Sequence, residues 1–278
     1  QSDWEYRYYS PEDIDEFLFT HFPPEVKDVY DALIPIRFKN DLARYCLLLI
    51  HGGVFADIDV MLNVNLDNAL DDDVGFMSVL DDTGKDSNHQ MCLWNSLVGS
   101  APAHPFLASV VQIIVNNVRN RFTSVDYDTL MCPSPPVSLI YNHANYFTTG
   151  PCVLGAAVNK VLGREMSHSF EIGDSLIPES QGDDYAEMTH SSSAAVDLEE
   201  DDNTGYYTTT HSGERIPGRS ILLKPKYNDM GALRFTMVEK TVIVATTIRK
   251  KLEQQPSGMK YPNVPHGKKI KKGVYGQK

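Results

Sequence analysis

Apolar positions recur at helical spacing through the first fifty residues, and the period changes abruptly after residue 52. SPEDIDEFLFTHF (10–22) places apolar residues three and four apart. Ser10 suits a helix cap, Pro11 the first helical position, and Glu12 and Asp13 the positive helix end. Pro23-Pro24 ends this segment; a second short helix is expected over 25–33 and a third over 38–51, with Gly52 as its terminator. VFADIDV (54–60) then reads with the two-residue period of a strand.

Beyond a polar connector, DNALDDD (67–73), VGFMSVL (74–80) and MCLWNSLVG (91–99) are strand-like. HPFLASVVQIIVNNVRNRF (104–122) is the clearest amphipathic helix, and TTGPCVLGAAVNKVLG (148–163) reads as a turn followed by a helix. Residues 178–218, rich in Ser, Thr and acid, are expected as a long loop or mobile insertion. RSILLKP (219–225) and FTMVEKTVIVATT (235–247) are again strand-like. The tail from Pro256 holds six lysines and no acid. There is no internal repeat. Strands alternating with helices predict an α/β chain with a mostly parallel sheet covered by helices, organised as one domain over 1–278 with a basic tail over 256–278.

Composition narrows the chemistry. The 278 residues are 42% hydrophobic and 22% charged, ordinary globular values, and the formal net charge is −12. Such an acidic chain is a poor general nucleic-acid binder, because phosphate contacts need clustered Lys and Arg. An acidic protein that handles phosphorylated substrates needs a local cation, and a metal ion supplies one. The four cysteines lie far apart with no CxxC pair, which argues against zinc. Cys46 reads as a core residue; Cys132 and Cys152 are candidates for a bridge in an oxidising compartment. No run of 18 apolar residues occurs, so no membrane span is expected in this chain. It carries no Asn-x-Ser/Thr sequon. It begins at Gln1, as a processed or truncated piece would.

Asp-x-Asp occurs four times, at Asp13/Asp15, Asp57/Asp59, Asp71/Asp73 and Asp126/Asp128. The first lies on a helix, where positions i and i+2 diverge. The third sits in an acidic connector and reads as solvated, and the fourth has no strand leading into it. The pair at 57 and 59 follows Gly52-Gly53 and an apolar helix. On an extended segment both carboxylates face one side while Ile58 packs on the other. Paired carboxylates repel unless a cation lies beside them. Hard oxygen ligands suit Mg²⁺ or Mn²⁺, which grip phosphates; a hydrogen-bonded structural pair is the competing account. Upstream, Asp41 and Arg44 share a helix face at i, i+3. They are either a surface ion pair or a carboxylate and guanidinium placed to bind hydroxyls and phosphate oxygens.

NDLARYCLLLIHGGVFADIDV (40–60) resembles the signature of glycosyltransferase family 32, the DXD-motif sugar transferases. Asp41, Arg44, Gly52, Gly53, Asp57 and Asp59 match, and Phe55 stands where the family usually has tyrosine. WEYRYYSPEDIDEFL (4–18), WNSLVGSAPAHPF (94–106) and TTGP (148–151) are similar to weaker family segments. The resemblance implies an A-type glycosyltransferase fold with a Rossmann-like sheet. It implies transfer of a hexose, mannose favoured, from a nucleotide-sugar (GDP-mannose or a UDP-hexose) to a glycan or glycolipid hydroxyl, with retention.

By the same resemblance Asp59 ligates Mn²⁺ (or Mg²⁺) directly, and Asp57 contacts the ribose and the metal. Asp41 and Arg44 hold the donor sugar and phosphate side, Asn95 lies near the reacting sugar, and Gly53 and Phe55 shape the donor pocket. His266, in YPNVPHG, is a candidate further metal ligand, and His211 a weaker one. The family's usual N-terminal Ile-Pro-x-x-Ile-His-Gln strand is missing from this sequence. The resemblance implies the Golgi lumen with an N-terminal anchor in a eukaryote, the cytoplasm in a bacterium. Two competing functions share the motif. A haloacid-dehalogenase-type phosphatase also places Asp-x-Asp after a strand, and a degenerate transferase would retain only sugar binding.

Overall fold

The computed structural model describes residues 4–34, 36–81, 91–119, 144–171, 176, 199–201, 205–210, 213, 215–227, 233–237 and 242–247. His211, His266, Cys132, the Asp126/Asp128 pair and the basic tail lie outside the described residues.

Three helices open the fold: α1 Pro11–His21, α2 Pro24–Ala32 and α3 Ile36–His51. The expected cap of α1 is a reciprocal one. Ser10 Oγ accepts from the Asp13 amide at 3.1 Å, and Asp13 Oδ2 accepts from the Ser10 amide at 2.7 Å. The helix buries Ile14, Phe17 and Leu18. α3 ends at Gly52, whose φ of +65° suits glycine and whose missing Cβ would lie 2.7 Å from Pro102 Cδ. The chain is thereby turned sharply from α3 into β1 Gly53–Ala56.

The remaining elements are β2 Val60–Leu62, α4 Leu66–Ala69, β3 Val74–Leu80, β4 Leu93–Ser100, α5 Pro105–Arg119, α6 Ala144–Thr148, α7 Pro151–Val161, β5 Glu199–Asp201, β6 Gly205–Thr209, β7 Arg215–Pro217, β8 Arg219–Tyr227, β9 Leu233–Met237 and β10 Val242–Thr247. Two expectations change here. The strand-like run over 235–247 is two strands, β9 and β10, paired antiparallel. The polar 178–218 stretch, expected as a loop, contains β5, β6 and β7, which form a small antiparallel sheet.

The main sheet has seven strands in the order β1-β4-β3-β8-β9-β10-β2. It is mixed rather than mostly parallel: β3–β8 is its one parallel pairing among the described residues, and the others are antiparallel. β1 and β2 lie at opposite edges, yet only residues 57–59 separate them in the chain. A link that short cannot span a flat sheet of this width, since neighbouring strands lie about 4.8 Å apart. The sheet therefore curls until its edges approach each other at the Asp57–Asp59 turn.

Strand alternation divides the core between the two faces. Phe76, Leu80, Leu93 and Val98 join the large cluster that also holds the buried side chains of α1, α2, α3, α5 and α7. Met77, Val79, Leu97, Ile221, Leu223, Phe235, Val244 and Ala245 fill the inside of the curl, with Leu66 and Ala69 of α4. Val54 and Ala56 of β1 and Val60 of β2 pack on this inner cluster, so both edges are held by the same core. Each fully buried Val, Leu, Ile, Phe or Met among them contributes roughly 1.5–3 kcal/mol on burial.

Candidate functional site

The site forms where α3, β4, the end of β1 and the turn before α7 meet. Asp41 and Arg44 project from α3 into the protein and are 3% and 6% exposed. They are a buried ion pair, not a surface one: Arg44 Nη2 lies 3.3 Å from Asp41 Oδ1. The same nitrogen lies 3.3 Å from Asp57 Oδ1, so one guanidinium holds both acids. Arg44 Nη1 donates to the Asn95 carbonyl, and the guanidinium stacks 4.4 Å from the centre of the Phe55 ring. Phe55 needs no hydroxyl for that contact.

Asp41 is satisfied on both oxygens. Asn95 Nδ2 donates to Oδ1 at 2.9 Å, and Thr149 Oγ1 donates to Oδ2 at 3.0 Å. Tyr45 completes the ring: its hydroxyl accepts from Asn95 Nδ2 at 2.8 Å and donates to the Gly150 carbonyl at 3.4 Å. Burial pushes the Tyr45 phenol up, so it acts as a neutral donor and acceptor. Asn95, expected beside the reacting sugar, is here a buried brace for Asp41. Tyr45 and Thr149 carry no signal of their own in the sequence. Tyr45 sits in an apolar helical run, and Thr149 belongs to the TTGP turn.

The Asp-x-Asp pair is not on a strand. The Asp57 amide continues the β1–β4 ladder by donating to the Ser96 carbonyl at 2.8 Å, and the Asp57 carbonyl then accepts from Val60 at 2.8 Å. That second bond closes a turn over Ile58 and Asp59. Ile58 consequently lies fully exposed instead of packing behind the acids, and Asp59 is exposed beside it. The Asp57 side chain is 36% exposed, open on one side and gripped by Arg44 on the other. Burial raises the Asp57 carboxyl; the Arg44 charge opposes this, and Asp59 adds to it by repulsion. Gly53 opens β1 at φ +94°, with nothing within 4 Å of where a Cβ would stand.

The other described Asp-x-Asp pairs have structural employment. Asp13 caps α1, and Asp15 lies 2.8 Å from Lys27 Nζ. Asp71 and Asp73, expected to be merely solvated, clamp Arg219 of β8 at 3.3 and 3.2 Å. Asp57 is paired with Arg44 and only partly exposed, and Asp59 is exposed on the turn beside it.

Burial pushes the Asp41 carboxyl up to about 6, although Arg44, Thr149 and Asn95 all favour its ionised form. A carboxyl whose folded value exceeds its unfolded one favours the fold in acid. This contribution is full below the unfolded value near 3.8 and is lost as pH rises through about 6. Its size is roughly 3 kcal/mol. Asp13, held low by its cap, acts in the opposite sense, so the variant difference is the quantity to measure. In metal-free buffer the stability of the wild type relative to Asp41→Asn is expected to rise as pH falls from 7 to 4. A difference that stays flat contradicts the assignment.

Cys92, just before β4, is bonded to Cys152 of α7. The bridge expected between Cys132 and Cys152 is therefore not formed, since Cys152 is already paired. Cys46 is free and buried, as expected. Among the described residues no helix is long and apolar enough to cross a membrane.

Residues 2–76 match the family model described as the glycosyltransferase sugar-binding region containing the DXD motif. The chain is 26% identical over 174 residues to an uncharacterised glycosyltransferase of Acanthamoeba polyphaga mimivirus, covering 50% of this chain and 67% of that protein. It is 27% identical over 109 residues to HOC1 of Saccharomyces cerevisiae, whose name places it among the glycosyltransferases, covering 35% of this chain and 28% of HOC1. It is 30% identical over 138 residues to inositol phosphoceramide mannosyltransferase 3 of Schizosaccharomyces pombe, covering 49% of this chain and 35% of that enzyme. The matched regions thus span about a third of each of the two yeast proteins. The similarity to the DXD-motif sugar transferases of family 32 that residues 40–60 carry is shown, and it rests on the segment that builds α3, β1 and the Asp57–Asp59 turn.

Proposed function

We propose that the chain is a metal-dependent hexosyltransferase of A-type fold that moves a sugar, mannose favoured, from GDP-mannose or a UDP-hexose to a hydroxyl of a glycan or glycolipid. The observation that carries this is the coupling of Asp57 to Arg44 and Asp41 beside the exposed Asp59. Two nearby carboxylates, one of them raised by burial and further by the other's charge, favour a divalent cation between or beside them. Among the described residues no cluster of three or more His, Cys, Asp or Glu is arranged to hold a metal alone. Mn²⁺ or Mg²⁺ would be held by one or both of these carboxylates, with water and substrate phosphate oxygens completing the shell. A cation at Asp59 and Asp57 would supply neutralisation of the charge that grows on the diphosphate leaving group.

The protein's own groups do the orienting. Arg44 is fixed by two acids, two backbone carbonyls and the Phe55 ring, so its charge is held beside Asp57, where the donor's phosphate side would bind, without reorganisation. Asp41 is held on both oxygens and serves as an acceptor for sugar hydroxyls. Its engagement by Asn95, Thr149 and Arg44 makes it a poor nucleophile. Retention is then best served by front-face displacement: the acceptor oxygen bonds to the anomeric carbon as the sugar–phosphate bond breaks, and its proton passes to the leaving phosphate. A single catalytic domain in the Golgi lumen fits a chain with a buried disulfide, because such bonds persist in oxidising compartments; the cytoplasm is the alternative for a bacterial protein.

Incubation with each donor, Mn²⁺ and a glycan or glycolipid acceptor, followed by NMR of the anomeric proton, is expected to show nucleotide release and a linkage of unchanged configuration. Donor binding with neither transfer nor hydrolysis would indicate a binding module. Phosphate release from simple esters without nucleotide-sugar would indicate a phosphatase.

A further inference from the structure

Asp41 is held from two directions by segments remote in sequence. Asn95 on β4 holds Oδ1, and Thr149 in the turn before α7 holds Oδ2. Tyr45 spans the same two segments, touching Asn95 and the Gly150 carbonyl. The separation between β4 and the start of α7 therefore sets whether Asp41 keeps both donors. The disulfide joins these two segments. Cys92 lies three residues before Asn95, and Cys152 three residues after Thr149. Both cysteines are buried, within a cluster containing Met91. Close backbone approach reinforces the contact: a Cβ on Gly155 of α7 would stand 1.8 Å from the Met91 carbonyl oxygen.

We infer that the Cys92–Cys152 bond is a positioning element of the sugar-nucleotide site, fixing the spacing of Asn95 and Thr149 across Asp41. This inference rests on the donor-site reading given above. A bond that only stabilised the fold, by restricting the unfolded chain, would leave donor affinity untouched once folding is ensured. A positioning bond changes affinity in the folded protein, because a hydrogen bond to a charged group is worth about 1.5–3 kcal/mol, equivalent to tenfold or more in binding.

The test compares wild type, Cys92→Ala/Cys152→Ala and the packing control Val153→Ala, a buried α7 position facing the helical core. Calorimetric titration with GDP-mannose and UDP-glucose in Mn²⁺ is expected to show about a tenfold weaker Kd for the double variant. Val153→Ala should stay within about twofold of wild type. In turnover the double variant's loss should appear mainly in donor KM rather than kcat. Should the double variant not fold, the full wild-type chain treated with a phosphine replaces it. The disulfide gains two protons and two electrons as the phosphine takes oxygen from water, and the mass gain verifies the reduction. Affinity equal to that of the packing control, in the double variant or the reduced chain, overturns the inference alone. Failure of the wild type to bind any nucleotide-sugar overturns the donor-site reading and the inference with it.

Discussion

The Arg44→Ala variant is expected to be less stable than wild type by about 3–5 kcal/mol, the range for removing one partner of a buried ion pair. Such a loss is a large share of the roughly 5–15 kcal/mol that holds a typical domain folded. The reason lies in what is left behind. Without the guanidinium, Asp41 keeps its Asn95 and Thr149 hydrogen bonds but faces a nearly dry interior with no cation, and Asp57 loses its partner as well. The carboxyl of Asp41 then rises further, so the penalty should shrink in acid, where Asp41 is neutral. Arg44→Lys should recover only part of the loss. An ammonium cannot reproduce the fork that reaches two acids and the Asn95 carbonyl, nor stack on Phe55. Urea denaturation at pH 7 and pH 5 checks both points; equal stability of Arg44→Ala and wild type would show that the pair is solvated.

Asp59→Ala is expected to act in the opposite manner, leaving the fold intact and removing function. Asp59 is exposed and lies in a turn, so its loss should change stability by no more than about 0.5 kcal/mol. Turnover should fall by about 10²–10³-fold, the range for removing one electrostatic contact to a developing charge. Asp59→Glu should recover little, because the turn closed by Asp57 and Val60 sets the position of the shorter side chain. Sugar-transfer kinetics alongside thermal melts separate the two effects. A variant that retains wild-type turnover would remove Asp59 from the site.

The helical half of the fold was legible because period and punctuation agree. Ser10-Pro11 opens α1, Gly52 closes α3, and each falls within two residues of its expected position. Strand existence was legible too, at 74–80 and 91–99, but strand direction was not. Alternation states that a segment is extended and one face is buried; it is silent on the neighbour. The parallel expectation holds only where β3 meets β8; β4 turns back antiparallel on both sides, and β8, β9, β10 and β2 follow antiparallel.

The site was legible in its residue types and less so in its geometry. Asp41 and Arg44 are recognisable as neighbours on α3, but their burial depends on β4 and the Thr149 turn, which local spacing cannot reveal. The Asp57–Asp59 segment has strand-like alternation, yet the chain must pass from one sheet edge to the other there, and a turn meets that demand. The cost is visible at Ile58, an apolar residue left in water. The cysteine pairing differs for a similar reason: Cys132 and Cys152 were candidates for a bridge, whereas β4 packing on α7 brings Cys92 to Cys152 instead.

The most direct measurement of the central claim is the melting temperature of the wild-type chain with GDP-mannose or a UDP-hexose, with and without Mn²⁺. At about a hundredfold excess over Kd, bound ligand stabilises the native state by about 2.7 kcal/mol, or about 5–10 °C for a domain of this size. The account predicts that shift for at least one donor only when the metal is present, and its disappearance in Asp59→Ala. A donor shift of the same size without metal, or one that survives in Asp59→Ala, would contradict it.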